Sequence, residues 1–336
     1  MIEKFQDVRS GFNEEFEHNF KDIVEIVDVE TIKTLKFNEN TLWKDSTVAK
    51  EIMEYGKIPP LGVRLLHDNG YTGKGVNVAI IDQPVALDHP EYKGKIVEYK
   101  IFAPEGYKMQ ISSQHGPAVT SLLAGNNVGA APEVNVFYAA VPQWLGDAVY
   151  EVEAVRWIIE KNKVLPEDQK IKFVSVSAAT GDPYIRPKNN ELWLKVLKEA
   201  EKEGICVVDC TEGNRFISTG YVDYQSGKFE YGFPSRKMRC PQEGEVHVPN
   251  SQRTIAESYD NKRFGYTYCG EGGLSWGIPY AVGVLCLGQQ AGRNLDAFEL
   301  KDALIETAAE NNCIINPYQF IQRVEELSRE RQIFVE

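Results

Sequence analysis

Ser275 stands in Gly272-Gly273-Leu274-Ser275-Trp276-Gly277-Ile278-Pro279, between an alternating strand pattern over 264–269 and an apolar run over 280–288. That run is too long for most strands and reads as a buried helix. A serine where sheet turns into helix, flanked by glycines, lies beside free backbone N–H groups and the positive end of a helix dipole. Such a place suits a nucleophile that attacks a carbonyl; it equally suits a helix N-cap. Gly273-Leu-Ser275-Trp-Gly277 has the Gly-x-Ser-x-Gly spacing of a nucleophile elbow, which needs an acid and then a histidine after the serine. The histidines are at 18, 67, 89, 115 and 247, all upstream of 275, so chain order excludes the elbow. Gly270-Glu-Gly272-Gly273 also grazes a dinucleotide fingerprint, but too near the end of the chain for a following strand with a ribose-binding acid. The order that remains is Asp, His, Ser.

The elements that must hold such groups are legible from residue 61 onward. Val76-Asn-Val-Ala-Ile-Ile81 is a buried strand ending at Asp82, and further strands are expected at 134–140, 173–177 and 205–210. Helices are expected at 116–124, 148–161, 191–202 and 275–289, with two closing helices at 298–309 and 318–329. Strands alternating with helices imply an α/β fold with a mostly parallel central sheet covered on both faces. Ligands of such sheets sit at the carboxyl ends of strands, where Asp82 and the segment around Asn214 stand.

Residues 1–56 form an N-terminal extension, and 57–336 form the main domain. Phe12, Phe16 and Phe20 recur at helical spacing, 23–29 reads as a strand, and Ile58-Pro-Pro-Leu-Gly62 marks a boundary.

A chain that is 43% hydrophobic and 26% charged is globular, not disordered or fibrous. Net charge of −12 argues against nucleic acid or an anionic membrane surface as partner. No apolar run approaches the 18 or so residues that span a bilayer. The first residues carry no apolar signal region, so no secretory leader is expected. The six cysteines lack metal-ligand spacing, and several sit in apolar runs. They read as reduced thiols, which points to the cytoplasm.

Four segments then carry a resemblance. Val76-Asn-Val-Ala-Ile-Ile-Asp82, with His89-Pro90 a few residues on, resembles the aspartate segment of the subtilisin-like serine proteases, the subtilases. Gln114-His115-Gly116 through Ala124-Gly125 is similar to their histidine helix, and Val128-Gly129-Ala130-Ala131-Pro132 to its continuation. Gly213-Asn214 resembles the segment that supplies the oxyanion asparagine. Gly273-Leu-Ser275-Trp-Gly-Ile-Pro279 resembles the serine segment, and Ile315-Asn316-Pro317 the closing one. The resemblance covers roughly residues 60 to 325 in the family order.

It implies a three-layer subtilisin-like fold and a serine endopeptidase of restricted specificity, acting on peptides or proteins. Ser275 would be nucleophile, His115 general base and acid, and Asp82 the group orienting His115. The Asn214 amide and the Ser275 backbone N–H would form the oxyanion hole. Ser177, Ala178, Ala179 and Thr180 would pair with the substrate backbone, and Gly213 would line the pocket, with Glu212 and Arg215 beside it. His89 and Asp88 are taken as structural. No cofactor or metal is expected; the family allows calcium, but no acidic ligand loop stands out. Gln83, Pro117, Leu274 and Trp276 depart from the family pattern, Trp276 on the leaving-group side. The alternative is a silent subtilase fold used for binding or regulation. Residues 1–56 are either an inhibitory propeptide or tail, or a strap packed on the domain.

Overall fold

The computed structural model describes residues 2–12, 19–25, 27–238, 244–260 and 262–333. A five-stranded sheet lies at its centre. In spatial order its strands are Ile96–Ile101, Asn135–Ala140, Asn77–Asp82, Phe173–Val176 and Cys206–Asp209, every neighbouring pair parallel. Val78 and Ile80 of the middle strand point into one core, and Ala79 and Ile81 into the other. Burial on both faces is why the strand reads as a continuous apolar run.

Helices His115–Ala124, Leu274–Ala291, Ala297–Ala309 and Pro317–Ile333 cover the first face through Val119, Ile278, Leu300 and Phe320. Helices Val149–Val164 and Trp193–Lys202 cover the second through Val152, Ile158 and Val196. This is the three-layer α/β arrangement expected from the alternation of strands and helices.

Register sets the level of the site. Ile81 pairs with Val176, and Val176 with Asp209, so Asp82, Ser177 and Cys210 follow at one height on the carboxyl edge. The helix beginning at His115 must descend onto that edge. Gly116 allows it: a Cβ there would stand 2.4 Å from the Gln83 carbonyl oxygen and 2.6 Å from that of Pro84.

Two further sheets flank the first. Val246–Pro249, Ile217–Val222, Phe229–Phe233 and Arg236–Lys237 form one. Lys36–Asn38, Arg263–Cys269 and Arg253–Asp260 form the other. Helix Thr47–Lys57 lies against the latter, where the Thr254 hydroxyl donates to the Met53 carbonyl at 2.6 Å.

The strand expected at 23–29 is replaced. Val24 makes a single bridge to Trp43, and the Asp28 carboxylate accepts the Thr31 N–H to cap a short helix, Val29–Ile32. A capping side chain satisfies the first turn directly and starts that helix at Val29, the last residue of the expected strand. The helix expected on Phe12, Phe16 and Phe20 falls largely on 13–18, outside the described residues.

Gly116→Ala is expected to cost about 1–3 kcal/mol, the range for forcing a methyl into a packed contact, because the neighbouring atoms are backbone and cannot swing away. Urea unfolding of the two proteins measures it; equal midpoints would mean that the helix shifts freely.

Candidate active site

Asp82 is wholly buried at the end of its strand. Its Oδ1 accepts the Gln83 N–H at 2.8 Å and faces His115 Nδ1 at 2.7 Å. The Tyr138 hydroxyl donates to the Gln83 carbonyl at 2.5 Å and so fixes the turn after the acid. Gln83 and Pro84, where the sequence departs from the subtilase pattern, thus provide a rigid floor beneath the histidine.

His115 is the first residue of its helix, and the Ser113 hydroxyl accepts the Gly116 N–H at 3.1 Å. Pro117 comes third in that helix, among the first four residues, whose N–H groups have no intrahelical partner, so its missing donor costs nothing there. Burial works against a charged imidazole, but the Asp82 carboxylate outweighs it by charge and hydrogen bond and raises the His115 pKa above its ordinary value. Arg186, held in a buried ion pair with Glu151 at 2.9 Å, pulls weakly the other way.

Ser275 is the second residue of helix Leu274–Ala291, so its N–H also lies in the unpaired first turn. Pro279 sits inside the same helix. Having no N–H, it cannot bond the carbonyl four residues back, which belongs to Ser275. The Ser177 hydroxyl takes that place, donating to the Ser275 carbonyl at 2.9 Å. In return the Ser275 hydroxyl donates to the Ser177 carbonyl at 3.1 Å. Among the described residues no hydrogen bond joins Ser275 to His115. The serine hydroxyl rests on the sheet edge, on the Ser177 carbonyl.

Trp276 covers the other side of the histidine. Its ring lies 5.2 Å from that of His115, tilted by 41°, and a Cβ at Gly272 would meet its Cδ1 at 2.1 Å. Leu274 packs against the main core. Beyond Trp276 a cavity of about 260 Å³ is lined by His115, Gln83, Gln114 and, from the N-terminal residues, Arg9 and Lys36. Arg9 donates to Gln114 at 3.1 Å and to Glu257 at 2.5 Å, tying the N-terminal arm to the start of the histidine helix.

Asn214 follows Gly213, whose φ of +82° suits glycine. The Asn214 amide nitrogen donates to Asp209 Oδ1 at 2.7 Å. Asp209 gave no signal in the sequence, where it merely ends an apolar strand; only its partners mark it. Glu212 and Arg215 are both exposed. Along 177–180 the Ala178 carbonyl accepts the Cys210 N–H, and the Ala179 carbonyl accepts that of Asp182, closing a turn. Ala179 is half-buried, and the Thr180 side chain is fully buried. His89 is buried among Tyr92, Phe264 and Tyr266, far from this chemistry in role: its Nδ1 accepts the Glu91 N–H.

Among the described residues no group of three or more His, Cys, Asp or Glu side chains could hold a metal ion. No described helix is long and apolar enough to cross a membrane.

The subtilase family profile matches residues 73–236, which include Asp82, His115 and Asn214 and end before Ser275. The chain is subtilisin-like in sequence and fold. It is 29% identical over 271 residues to the major intracellular serine protease of Bacillus subtilis, covering 71% of this chain and 77% of that one. It is 28% identical over 154 residues to the minor extracellular protease Vpr of the same organism, where the match covers 40% of this chain and 19% of Vpr. A solved structure of the subtilase cytotoxin SubAB shares the fold, with a TM-score of 0.62 at 15% identity, covering 80% of this chain and 96% of that one. Family and fold support a serine-protease type of function and imply peptide or protein substrates.

The raised His115 pKa has a direct readout. Imidazole NMR titration of the chain is expected to place it above about 6.5, and Asp82→Asn, which removes the anion but leaves the burial, is expected to bring it below that value. A titration unmoved by Asp82→Asn would mean that the carboxylate does not govern the ring.

Proposed function

We propose that the chain is a serine endopeptidase that cleaves peptide bonds through an acyl-enzyme on Ser275. The observation that carries the reading is the buried Asp82–His115 pair at 2.7 Å, set beside the first turn of the Ser275 helix. A serine hydroxyl is a weak nucleophile until a base removes its proton as it attacks. His115 is that base, and later the acid that protonates the leaving amine. Asp82 bonded at Nδ1 leaves Nε2 to receive the serine proton and stabilises the imidazolium that results. The Ser275 N–H and the Asn214 amide are the donors for the oxyanion. No metal or cofactor is needed for these steps.

Specificity in this reading is restricted. Ser177–Thr180 and Gly213 hold the acyl side of the substrate, and the turn closed on the Ala179 carbonyl narrows the ways a strand can add there. Trp276 and the Arg9–Lys36 wall bound the leaving-group side. We read residues 1–56 as a strap that helps build this wall. Cys206, Cys210, Cys269 and Cys286 are free thiols, and burial pushes Cys206 up to about 11. Together with similarity to an intracellular protease this favours a cytoplasmic setting.

A second reading, a silent fold that binds without cutting, draws on the resting Ser275 hydroxyl, which bonds Ser177 and not His115. A fluorophosphonate probe separates the two. The chain is expected to be labelled, Ser275→Ala to be inert, and Asn214→Ala to lose about 10²–10³ in kcat, the usual loss on removing an oxyanion donor. Because the His115 pKa is raised, the base stays protonated to higher pH, so kcat/KM should rise with a midpoint above about 6.5. Absence of labelling in folded protein would favour the silent fold.

A further inference from the structure

We propose that Asp209 is a positioning residue that holds the Asn214 amide in the orientation an oxyanion donor requires. The inference rests on the reading of Asn214 given above and adds a buried group that this reading leaves unused. Asp209 ends the last strand of the central sheet, pairs in register with Val176 and is 1% exposed. Three side-chain donors converge on its carboxyl group. Trp193 Nε1 donates to Oδ2 at 2.7 Å, the Thr211 hydroxyl donates to Oδ2 at 2.5 Å, and Asn214 Nδ2 donates to Oδ1 at 2.7 Å.

Asn214 needs such an anchor. It sits in an exposed turn, with Glu212, Gly213 and Arg215 all solvent-facing, and its backbone N–H is spent on the Thr211 carbonyl. A primary amide presents two N–H donors on one side and an oxygen on the other, and the terminal torsion of asparagine is broad. Turned one way it donates to an oxyanion; turned by half a revolution it opposes one oxygen with another. Binding one N–H to Asp209 removes that freedom and leaves the second N–H directed away from the carboxyl group. Thr211 extends the brace, since its Oγ1 also accepts the Gly181 N–H at 3.1 Å, linking the oxyanion turn to the segment after Thr180. Preorganised donors of this kind stabilise developing charge without reorganising during reaction.

The test uses the full chain. Asp209→Asn and Asp209→Val are measured beside Trp193→Phe, which withdraws a different donor from the same carboxyl group. Two Asp209 variants are needed because Asp209→Asn turns one acceptor into a donor facing Trp193. Both are expected to lower kcat about tenfold or more with KM within about twofold, while adding less than about twofold in an Asn214→Ala background. Equal losses in both backgrounds, or a change confined to KM, would overturn the proposal.

An independent readout is the ¹⁵N-correlated spectrum of the Asn214 side chain, assigned by its absence in Asn214→Ala. Its two amide protons are expected to be separated in shift by more than those of the exposed asparagine side chains of the same chain, an excess lost in Asp209→Asn and kept in Trp193→Phe. A separation no wider than that of the exposed asparagines in the parent chain overturns the anchor even in an active enzyme. Conversely, a widened separation in a chain that no fluorophosphonate labels upholds the anchor while the peptidase reading falls.

Discussion

The Asp82 carboxylate has no contact with solvent, and one imidazole answers its charge. Taking a carboxylate out of water costs several kcal/mol, and a hydrogen-bonded partner must return most of it. The structure concentrates its means on that return. Gly116 lets the histidine helix come within contact of the Gln83 and Pro84 carbonyls, Tyr138 ties down Gln83, and the Gln83 N–H shares Oδ1 with His115. Weakening any of these leaves a buried anion with less to hold it. The same arrangement raises the His115 pKa, so the bond that answers the buried charge also sets how readily the imidazole takes up a proton.

Ser275 is held by a different device. Pro279 leaves the Ser275 carbonyl without its helical partner, and Ser177 fills the gap from the neighbouring strand end. Two serines then exchange hydroxyl-to-carbonyl bonds across the sheet edge. A proline that would weaken an ordinary helix here docks the first turn of one onto the sheet. The consequence is that the Ser275 hydroxyl rests on the Ser177 carbonyl.

Much of the frame was readable from residue order because its signals are local. Strands buried on both faces show as apolar runs, as at 77–82, and helix ends show as glycine and proline. Partly exposed strands gave weaker patterns: Ile96–Ile101 lies at a sheet edge, and the sheet containing Ile217–Val222 carries glycines and mixed polarity, so neither was anticipated. At the N-terminus the strand expected at 23–29 is represented by a single bridge at Val24, and Asp28 caps a helix that begins at Val29. The side chains on which the site leans from outside its motifs, Ser177 as hydrogen-bond donor, Asp209 and Arg9, were silent as such, since each acquires its role from a partner between 5 and 105 residues away.

By itself the sequence determined the α/β alternation, the Asp-His-Ser order that excludes a nucleophile elbow, and the placing of Asp82, Asn214 and Ser275 at element ends. Periodicity and chain order carry that information because neighbours along the chain share one helix or strand. Tertiary structure alone decided that Asp82 and His115 meet at 2.7 Å, that Trp276 lies against the imidazole, and that N-terminal residues wall the cavity beside it. Those distances depend on sheet register and on which backbone can approach which. No spacing along a single chain encodes either until the layers have packed.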